Sequence, residues 1–497
     1  MKILTITLVL LTIGFFGCSK KEKGIIINGK TNLMHSVKVE YTIPIDGKWF
    51  YGDKRSITTD SVGTFQIKMN IEKPSFVTIY ISGKAGVLLV EPSKNYDVNF
   101  EFNTNQKKFG VTSKDSIGQN FYNTFSAPDF NIWSVNTFLK ASIPSEISSK
   151  INNLKEKEIS KFNELFKKGE ISGGFLELAI LDRKSYYLAL EVKIATMLFK
   201  RYLYEKNMVG INEVKDFWGK KMKILKLNES EYIRSPWFYA LANSYINFNQ
   251  YSSNSLDHQQ LRNKYESGDI YKYNIVEAEK YLKGEELEYY LSSYIFYECW
   301  QTKDNSKKLI EAYEYFKKKY SNSSYTKYLT ISVQPIIDYQ NKIKESTINK
   351  KVKLVENYRY IDTFKELIKL QTLKDKKIFV DIWGTWCGPC KREFRHKDKL
   401  DKLLKSNNII TLYICEGKNS KENTWKEMIK FYDLEGQHIM ANEKLVADII
   451  NRFGNNGSFA YPRYLLIDEN GKVVNEQTSY PSKINKLEKE IEESYVW

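Results

Sequence analysis

The sequence predicts a multi-domain protein with an N-terminal antiparallel β-sandwich, a central α-helical domain and a C-terminal α/β domain. The chain has 497 residues, more than one hydrophobic core usually organises. Apolar and polar residues alternate in its first part, helical spacing follows, and strand-like and helix-like segments then take turns. The predicted domains are residues 24–105, residues 120–350 and residues 355–497.

The composition is that of a soluble globular protein, with 42% hydrophobic and 27% charged residues. The formal charge of +16 comes from lysines scattered among 60 acidic residues, and no block forms a basic stripe. Nucleic acid is therefore not a predicted partner. A cationic surface would suit a protein held near an anionic membrane.

The amino-terminal stretch "MKILTITLVLLTIGFFGCSKKEK" predicts a secretory signal. Its apolar run, residues 3–16, is shorter than the roughly 20 residues needed to cross a bilayer. Gly17 before Cys18 resembles the lipobox of bacterial lipoproteins, although Phe15 stands where that motif prefers leucine. The resemblance implies a signal peptide over residues 1–18, a lipid-modified Cys18 and a membrane anchor in the bacterial envelope. Plain signal cleavage, with Cys18 as an incidental residue, is the alternative.

The N-terminal and central regions show regular structure but no catalytic motif. Segments such as "GTFQIKMNI" and "SFVTIYISG" alternate apolar and polar residues between turn residues, which predicts short antiparallel strands. The stretch "FLELAILDRKSYYLALEVKIATMLFKRYLYEK" has amphipathic helical spacing. We expect the middle helices to pack as a bundle or an irregular solenoid.

The C-terminal region has the order of elements of a thioredoxin fold. The run "KIFVDIWG" predicts a strand buried on both faces, and "CKREFRHKDKLDKLLKS" predicts one helix after it. A strand "IITLYICEG" and helices around "ENTWKEMIKFYDL" and "NEKLVADIINRF" follow. A hairpin at Asn470-Gly471 and a helix from about Pro481 complete the region. The lysine-rich residues 346–357 predict a linker before it.

Two of the five cysteines stand two residues apart in "VDIWGTWCGPCKRE", at a predicted helix start. There, unpaired N–H groups and the positive end of the helix dipole stabilise a thiolate. We expect Cys387 to be an exposed nucleophile and Cys390, one turn on and more buried, to resolve the mixed disulfide. Gly388 and Pro389 suit the loop, because proline is tolerated in the first helical turn.

These residues resemble a known family. "VDIWGTWCGPC", the proline in "AYPRYLLID" and the closing hairpin resemble the TlpA/ResA-like thiol-disulfide oxidoreductases of bacterial envelopes, and the whole layout resembles their long lipoprotein forms. The resemblance implies a thioredoxin fold, a redox-active Cys387–Cys390 disulfide as the only cofactor and a periplasm-facing location. It also implies disulfide-containing envelope proteins as partners and a membrane thiol relay as electron donor. The Gly-Pro dipeptide resembles reducing thioredoxins, which favours disulfide reduction.

The same resemblance gives roles to residues outside the Cys pair. Asp381, six residues before Cys387, matches the buried acid that would accept and return the proton of Cys390. A structurally paired aspartate is the alternative. Pro462 resembles the cis-proline facing the Cys pair, with Tyr461 presenting backbone groups to an extended substrate. It could instead begin an edge strand. Trp386 would flank the thiolate.

The sequence argues against a metal site and a purely structural disulfide. Zinc is not predicted, because there is no second Cys pair and the four histidines are dispersed. A purely structural disulfide would close too small a loop to stabilise the fold much by chain entropy. A function of another class stays open. The β and helical regions could bind an envelope partner or nutrient, with the redox unit secondary, because residues 24–350 show no chemistry.

Overall fold

A computed structural model describes residues 24–103, 106–140, 143–229, 231–252, 258–301, 305–345, 347, 349–417, 420–455 and 458–495. The chain divides into two compact units, the first ending at Ile336 and the second running over Ile337–Trp497. The predicted β-sandwich and most of the predicted helical region fall in the first unit, and the boundary lies within one helix, Thr326–Glu345. The three predicted domain ranges therefore stay a prediction.

The first unit begins with two four-stranded sheets, ordered β4-β1-β7-β8 and β3-β2-β5-β6. Their strands are β1 (Gly24–Thr31), β2 (Lys38–Thr42), β3 (Lys54–Thr58), β4 (Thr64–Asn70), β5 (Ser75–Ile81), β6 (Lys84–Val90), β7 (Asn95–Asn103) and β8 (Gln106–Val111). Alternation forms these strands: in β4 the side chains of Phe65, Ile67 and Met69 are buried and their neighbours face outward. Apolar side chains from both sheets share one core, as in a sandwich.

The sandwich differs from the predicted one in two respects. β1 and β7 pair in parallel, from Ile26 beside Asn95 to Thr31 beside Phe100, so the expectation of a wholly antiparallel sandwich was wrong. The strands also continue to Val111, beyond the predicted end at residue 105. Pairing between strands so far apart in the chain leaves no signal in either strand alone.

Helices make up the rest of the first unit. They are α1 (Ser116–Tyr122), α2 (Pro144–Lys167), α3 (Gly173–Tyr204), α4 (Met208–Ile224), α5 (Phe238–Ser252), α6 (His258–Ser267), α7 (Ile270–Tyr281), α8 (Gly284–Gln301), α9 (Lys307–Lys319) and α10 (Thr326–Glu345). Side-chain caps mark several starts: Ser172 accepts a hydrogen bond from Phe175 N at α3. A second core joins the helices to the sandwich, with Phe76 and Leu89 of the sheet packed against Phe162 and Phe175.

The second unit is built on a six-stranded sheet, ordered β14-β13-β10-β11-β12-β9. Its elements are β9 (Val352–Leu354), α11 (Phe364–Ile368), β10 (Lys377–Trp383), α12 (Gly388–Glu393), α13 (Lys397–Ser406), β11 (Ile409–Glu416), α14 (Glu422–Tyr432), β12 (Gly436–Ala441), α15 (Glu443–Phe453), β13 (Arg463–Ile467), β14 (Val473–Asn475) and α16 (Ile484–Tyr495). β10, β11, β12 and β9 pair in parallel, whereas β13 and β14 are antiparallel.

The sheet buries two different faces. One, which we call the aliphatic face, packs against α11 and α15 and carries these strand residues: Ile378, Val380, Ile382, Leu412, Ile414, Ile439, Ala441, Leu465 and Ile467. The other, which we call the titratable face, packs against α12, α13, α14 and α16. It carries Phe379, Asp381, Trp383, Tyr413, Cys415, His438 and Tyr464.

Three predictions for this unit were wrong in detail. The predicted linker at residues 346–357 contains β9, which pairs with β12. β12 itself, Gly436–Ala441, was not predicted. The helix predicted as one run is interrupted by a 3₁₀ turn over Phe394–His396, between α12 and α13. Phe394 is buried there, with its ring 5.1 Å from that of Trp383.

Candidate active site

The two cysteines lie where β10 ends and α12 begins. Cys387 is the N-cap of α12 and is joined to Cys390 by a disulfide, with the Cα atoms 5.4 Å apart. Cys390 N donates a hydrogen bond to Cys387 Sγ over 3.1 Å. Gly388 and Pro389 form the first turn of α12. The sequence therefore brings the first sulfur to a helix start, where a backbone N–H group points at it.

Exposure of the first sulfur was predicted wrongly. Cys387 is only 2% exposed, and Cys390 is fully buried. In the disulfide form Cys387 belongs to an apolar cluster that includes Trp383, and Tyr461 packs against that cluster. In the disulfide form, neighbouring side chains therefore cover this sulfur.

The covering side chains are aromatic. Trp386, 48% exposed, meets the ring of Tyr461 edge to face at 5.2 Å, and Phe459 packs on Tyr461 at 4.9 Å. The indole Nε1 of Trp386 donates to the buried carboxylate of Glu416 over 2.9 Å, which fixes the ring. The Tyr461–Pro462 peptide bond is cis. These side chains form an aromatic strip, Trp386, Tyr461 and Phe459, beside the Cys pair.

Asp381 lies on the titratable face, two residues before Trp383 on the same strand, and is 2% exposed. Its Oδ1 atom has no hydrogen-bond partner among the described residues. Burial, and then the negative charge of Glu393, raise the pKa of Asp381 well above its ordinary value. The alternative, a structurally paired aspartate, would need a partner of opposite charge. No ion pair of Asp381 occurs among the described residues. A carboxyl in this setting can hold a proton near neutral pH.

Glu393 is a site residue that sequence reasoning missed. It ends α12, one helical turn after Cys390, and its carboxylate accepts hydrogen bonds from Ser482 N at 2.9 Å and Ser482 Oγ at 3.0 Å. The signal in the sequence was its spacing, because residues three apart on a helix share a face. Its charge acts on Asp381 from that position.

Asp381 also belongs to a row of buried titratable side chains that crosses the sheet. The strand register places Tyr464 on one side of Asp381, Tyr413 on the other, and His438 beyond Tyr413. His438 stacks on Tyr413 with ring centroids 4.7 Å apart, and its Nε2 lies 2.9 Å from Leu434 O. Burial lowers the pKa of His438 to about 4. None of these neighbours was predicted, because they come from three different strands.

Cys415 is a buried structural residue of β11. It lies opposite Trp383 in the strand register and is fully buried. Burial raises the pKa of its thiol to about 12, so it stays protonated and unreactive near neutral pH.

The described part of the chain has neither a metal site nor a membrane-spanning helix. No cluster of three or more histidine, cysteine, aspartate or glutamate side chains there could hold a metal ion. None of the helices in those ranges combines the length and apolar character needed to cross a bilayer. Cys18, the predicted lipidation site, and the predicted signal peptide lie outside the described residues.

The fold and the Cys pair define the class of the C-terminal region, a redoxin domain of the thioredoxin type. Residues 347–491 match the family model described as Redoxin. Within that class the region is TlpA/ResA-like, as the sequence resemblance indicated.

Individual relatives each match about a quarter of the chain. Thiol-disulfide oxidoreductase ResA of Bacillus subtilis (strain 168) is 31% identical over 120 residues, which cover 24% of this chain and 62% of that protein. ResA of Halalkalibacterium halodurans is 27% identical over 140 residues, covering 28% of this chain and 75% of that protein. The crystal structure of a thiol:disulfide interchange protein from Chlorobium tepidum TLS has 22% identity and a TM-score of 0.21, covering 24% of this chain and 82% of that one. The chain thus spans less than two thirds of several Bacillus ResA proteins, between 62% and 65% of their length.

Proposed function

We propose that the protein is a thiol-disulfide oxidoreductase that reduces disulfides of other proteins through Cys387 and Cys390. The observation that carries the proposal is the disulfide between these residues at the start of α12, with the buried carboxyl of Asp381 on the face of the sheet that α12 covers. The similarity of residues 347–491 to redoxins and ResA supports it.

The reaction begins with the reduced dithiol. The Cys387 thiolate attacks one sulfur of the substrate disulfide, the substrate S–S bond breaks, and its other sulfur leaves as a thiolate that takes up a proton. A mixed disulfide then joins Cys387 to the substrate. The N–H group of Cys390, which donates to Cys387 Sγ in the disulfide form, is placed to stabilise the attacking thiolate.

The second step releases the substrate. Asp381, in its ionised form, accepts the proton of the Cys390 thiol, and the resulting thiolate attacks Cys387 Sγ. The mixed disulfide breaks, the second substrate sulfur leaves reduced, and the Cys387–Cys390 bond forms. Two electrons have passed from the dithiol to the substrate. The structure, with the ring closed, corresponds to the end of this sequence.

The same proposal includes the location and partners that the sequence suggests. The chain would be anchored through Cys18 in the bacterial envelope, facing the periplasm, and would act on disulfide-containing envelope proteins. Regenerating the dithiol there needs an electron donor, for which a membrane thiol relay is the proposed partner. Trp386, Tyr461 and Pro462 would contact the substrate beside the Cys pair.

The test uses the full chain and two matched variants. The wild type should reduce insulin disulfides in the presence of dithiothreitol, and Cys387→Ser should not. Cys390→Ser should instead accumulate mixed disulfides, visible as adducts on a non-reducing gel that dithiothreitol dissolves, because the resolving sulfur is gone. Equal, negligible turnover by wild type and Cys387→Ser would refute the proposal and favour a binding role.

A further inference from the structure

A cavity of about 270 Å³ opens beside Pro462, at the edge of the proposed active site. We infer that it binds a carboxylate side chain of the substrate polypeptide, close to the disulfide that is reduced. The inference rests on the proposed function, since it names a substrate class for the same site.

The cavity adjoins the Cys pair through β13. Pro462 lines it, and the next residue, Arg463, pairs with Ile382 of β10, the strand that leads directly to the Cys loop. On the other side of Pro462, Tyr461 belongs to the aromatic strip with Trp386. A polypeptide whose disulfide reaches Cys387 would therefore pass between the aromatic strip and this cavity.

The charged groups of the cavity are mostly cationic. Its walls include Arg463 from β13 and Lys483 and Lys486 from the last helical segment, against a single carboxylate, Glu490. Arg463 Nη1 donates to Gln477 Oε1 at 3.2 Å and lies 3.4 Å from Glu476 O, both uncharged acceptors. No ion pair joins Lys483 to any described residue.

The one carboxylate is already engaged by the protein. Glu490 accepts hydrogen bonds from Thr478 Oγ1 at 2.6 Å, from Ser479 N at 2.6 Å and from Ser479 Oγ at 2.8 Å. Lys486 lies 3.6 Å from it, at the long end of an ion pair. Three cations face one occupied anion, so the cavity has an excess of positive charge that an acidic ligand would complement.

Tyr464 also lines the cavity, where its ring is part of the wall. The side chain is 1% exposed and its hydroxyl is enclosed. Burial, and then the negative charges of Asp381 and Glu393, raise the pKa of Tyr464. A ligand in the cavity would therefore meet the ring of Tyr464, and the charged side chains of the cavity would carry the recognition.

The experiment compares two disulfide peptides that differ by one side chain. Each peptide contains an intramolecular disulfide. One peptide has glutamate, and the other glutamine, at the same position within three residues of one cysteine. Separate pairs place this residue before and after the cysteine. The pre-reduced full chain is mixed with each peptide, and the single-turnover rate constant is measured at low and at high salt. For at least one placement, we expect the glutamate peptide to react about fivefold faster at low salt, with the advantage shrinking as salt screens the charges.

Two variants locate the effect. Lys483→Gln combined with Lys486→Gln should remove the preference for the glutamate peptide. Lys489→Gln is the matched control, because Lys489 is exposed on the same helix but does not line the cavity, and it should keep the preference.

Several results would overturn the inference. Equal rates for the glutamate and glutamine peptides at every placement, with both reduced, would refute it and leave the proposed function standing. A preference that survives in the double lysine variant would place the selectivity elsewhere and refute it too. Millimolar inorganic phosphate that slows both peptides equally, with no glutamate advantage, would indicate a small-anion site instead. Failure to reduce either peptide would refute the proposed function itself.

Discussion

The two faces of the sheet in the C-terminal unit are equally buried but chemically opposite. On the aliphatic face, strand residues such as Val380, Leu412 and Leu465 belong to a buried hydrophobic cluster. On the titratable face, the strand neighbours of these residues include Asp381, Tyr413 and Tyr464, beneath the helix that begins with the Cys pair. The two faces therefore differ in their contribution to stability. Apolar burial on the aliphatic face stabilises the fold, whereas burying polar groups on the titratable face, near the Cys pair, costs free energy.

The largest expected effect tests the aliphatic face. Leu412→Ala should lower the free energy of unfolding by about 2–5 kcal/mol, because it leaves a cavity in a fully buried position. Turnover per folded molecule should stay near that of the wild type. Chemical denaturation and insulin reduction measure the two quantities. Leu412→Ile, which keeps the volume, should cost less than about 1.5 kcal/mol. A large drop in turnover per folded molecule would break the division between the faces.

The second prediction concerns acid stability of the titratable face. Burial lowers the pKa of His438 to about 4, below its ordinary value of 6.5. Between these values the unfolded chain binds a proton that the folded chain does not, so stability falls as the pH is lowered from 6.5 to 4. The loss amounts to roughly 3 kcal/mol. Between pH 7 and pH 4, the free energy of unfolding should change less for His438→Gln than for the wild type.

The third prediction concerns Asp381, for which stability changes with pH in the opposite direction. The pKa of Asp381 is raised by burial and by Glu393, so the folded chain keeps a proton that the unfolded chain loses above about pH 4. Stability then falls as the pH rises towards the folded pKa. Asp381→Asn should raise the melting temperature of this unit by a few degrees at pH 7 and by less at pH 4. It should also slow resolution of the mixed disulfide.

Calorimetry across the pH range measures the thermal effect of Asp381→Asn, and decay of a preformed mixed disulfide measures the kinetic one. Asp398→Asn, which changes an exposed side chain of α13, is the control and should change neither quantity. A variant that melts lower than the wild type at pH 7 would mean that Asp381 is held by a stabilising partner.

The smallest expected effect is the loss of a helix cap at the start of α15, which packs on the aliphatic face. Asn442 caps this helix by accepting a hydrogen bond from Leu445 N over 2.8 Å. Asn442→Ala should cost about 1 kcal/mol of stability, with unchanged turnover, and Asn442→Ser should retain the cap. Aspartate is not a suitable control, because the Asn442 amide also donates to Arg359 O, Ile361 O and Asp362 Oδ1. Urea denaturation resolves the difference. A cap variant that altered turnover would show that helices on this side also influence the site.

Local features were predictable from the sequence. The strand "KIFVDIW" and the helix start at the Cys pair follow from short-range patterns, and both occur in the structure. β12 was missed because "GQHIMA" is short and places the polar His438 at a buried position. β9 has only three residues, Val352–Leu354, and lies in a lysine-rich stretch. Its strand conformation comes from pairing with β12, which is far along the chain.

Features that depend on distant parts of the chain were not predictable. The burial of Cys387 depends on Tyr461, and the neighbours of Asp381 depend on the register of β11 and β13. The parallel pairing of β1 with β7 is of the same kind. Residue types suggested which side chains could take part in proton transfer, but only the register shows which of them lie side by side.

The contact between Glu393 and Ser482 joins the redox helix to the segment that leads into α16. The carboxylate that influences Asp381 is thus tied to the last helix of the fold, not only to the helix that carries the cysteines. If the segment around Ser482 came away from α12, the Glu393 carboxylate would be released and its influence on Asp381 would weaken, while the strand pairing of the sheet stayed intact.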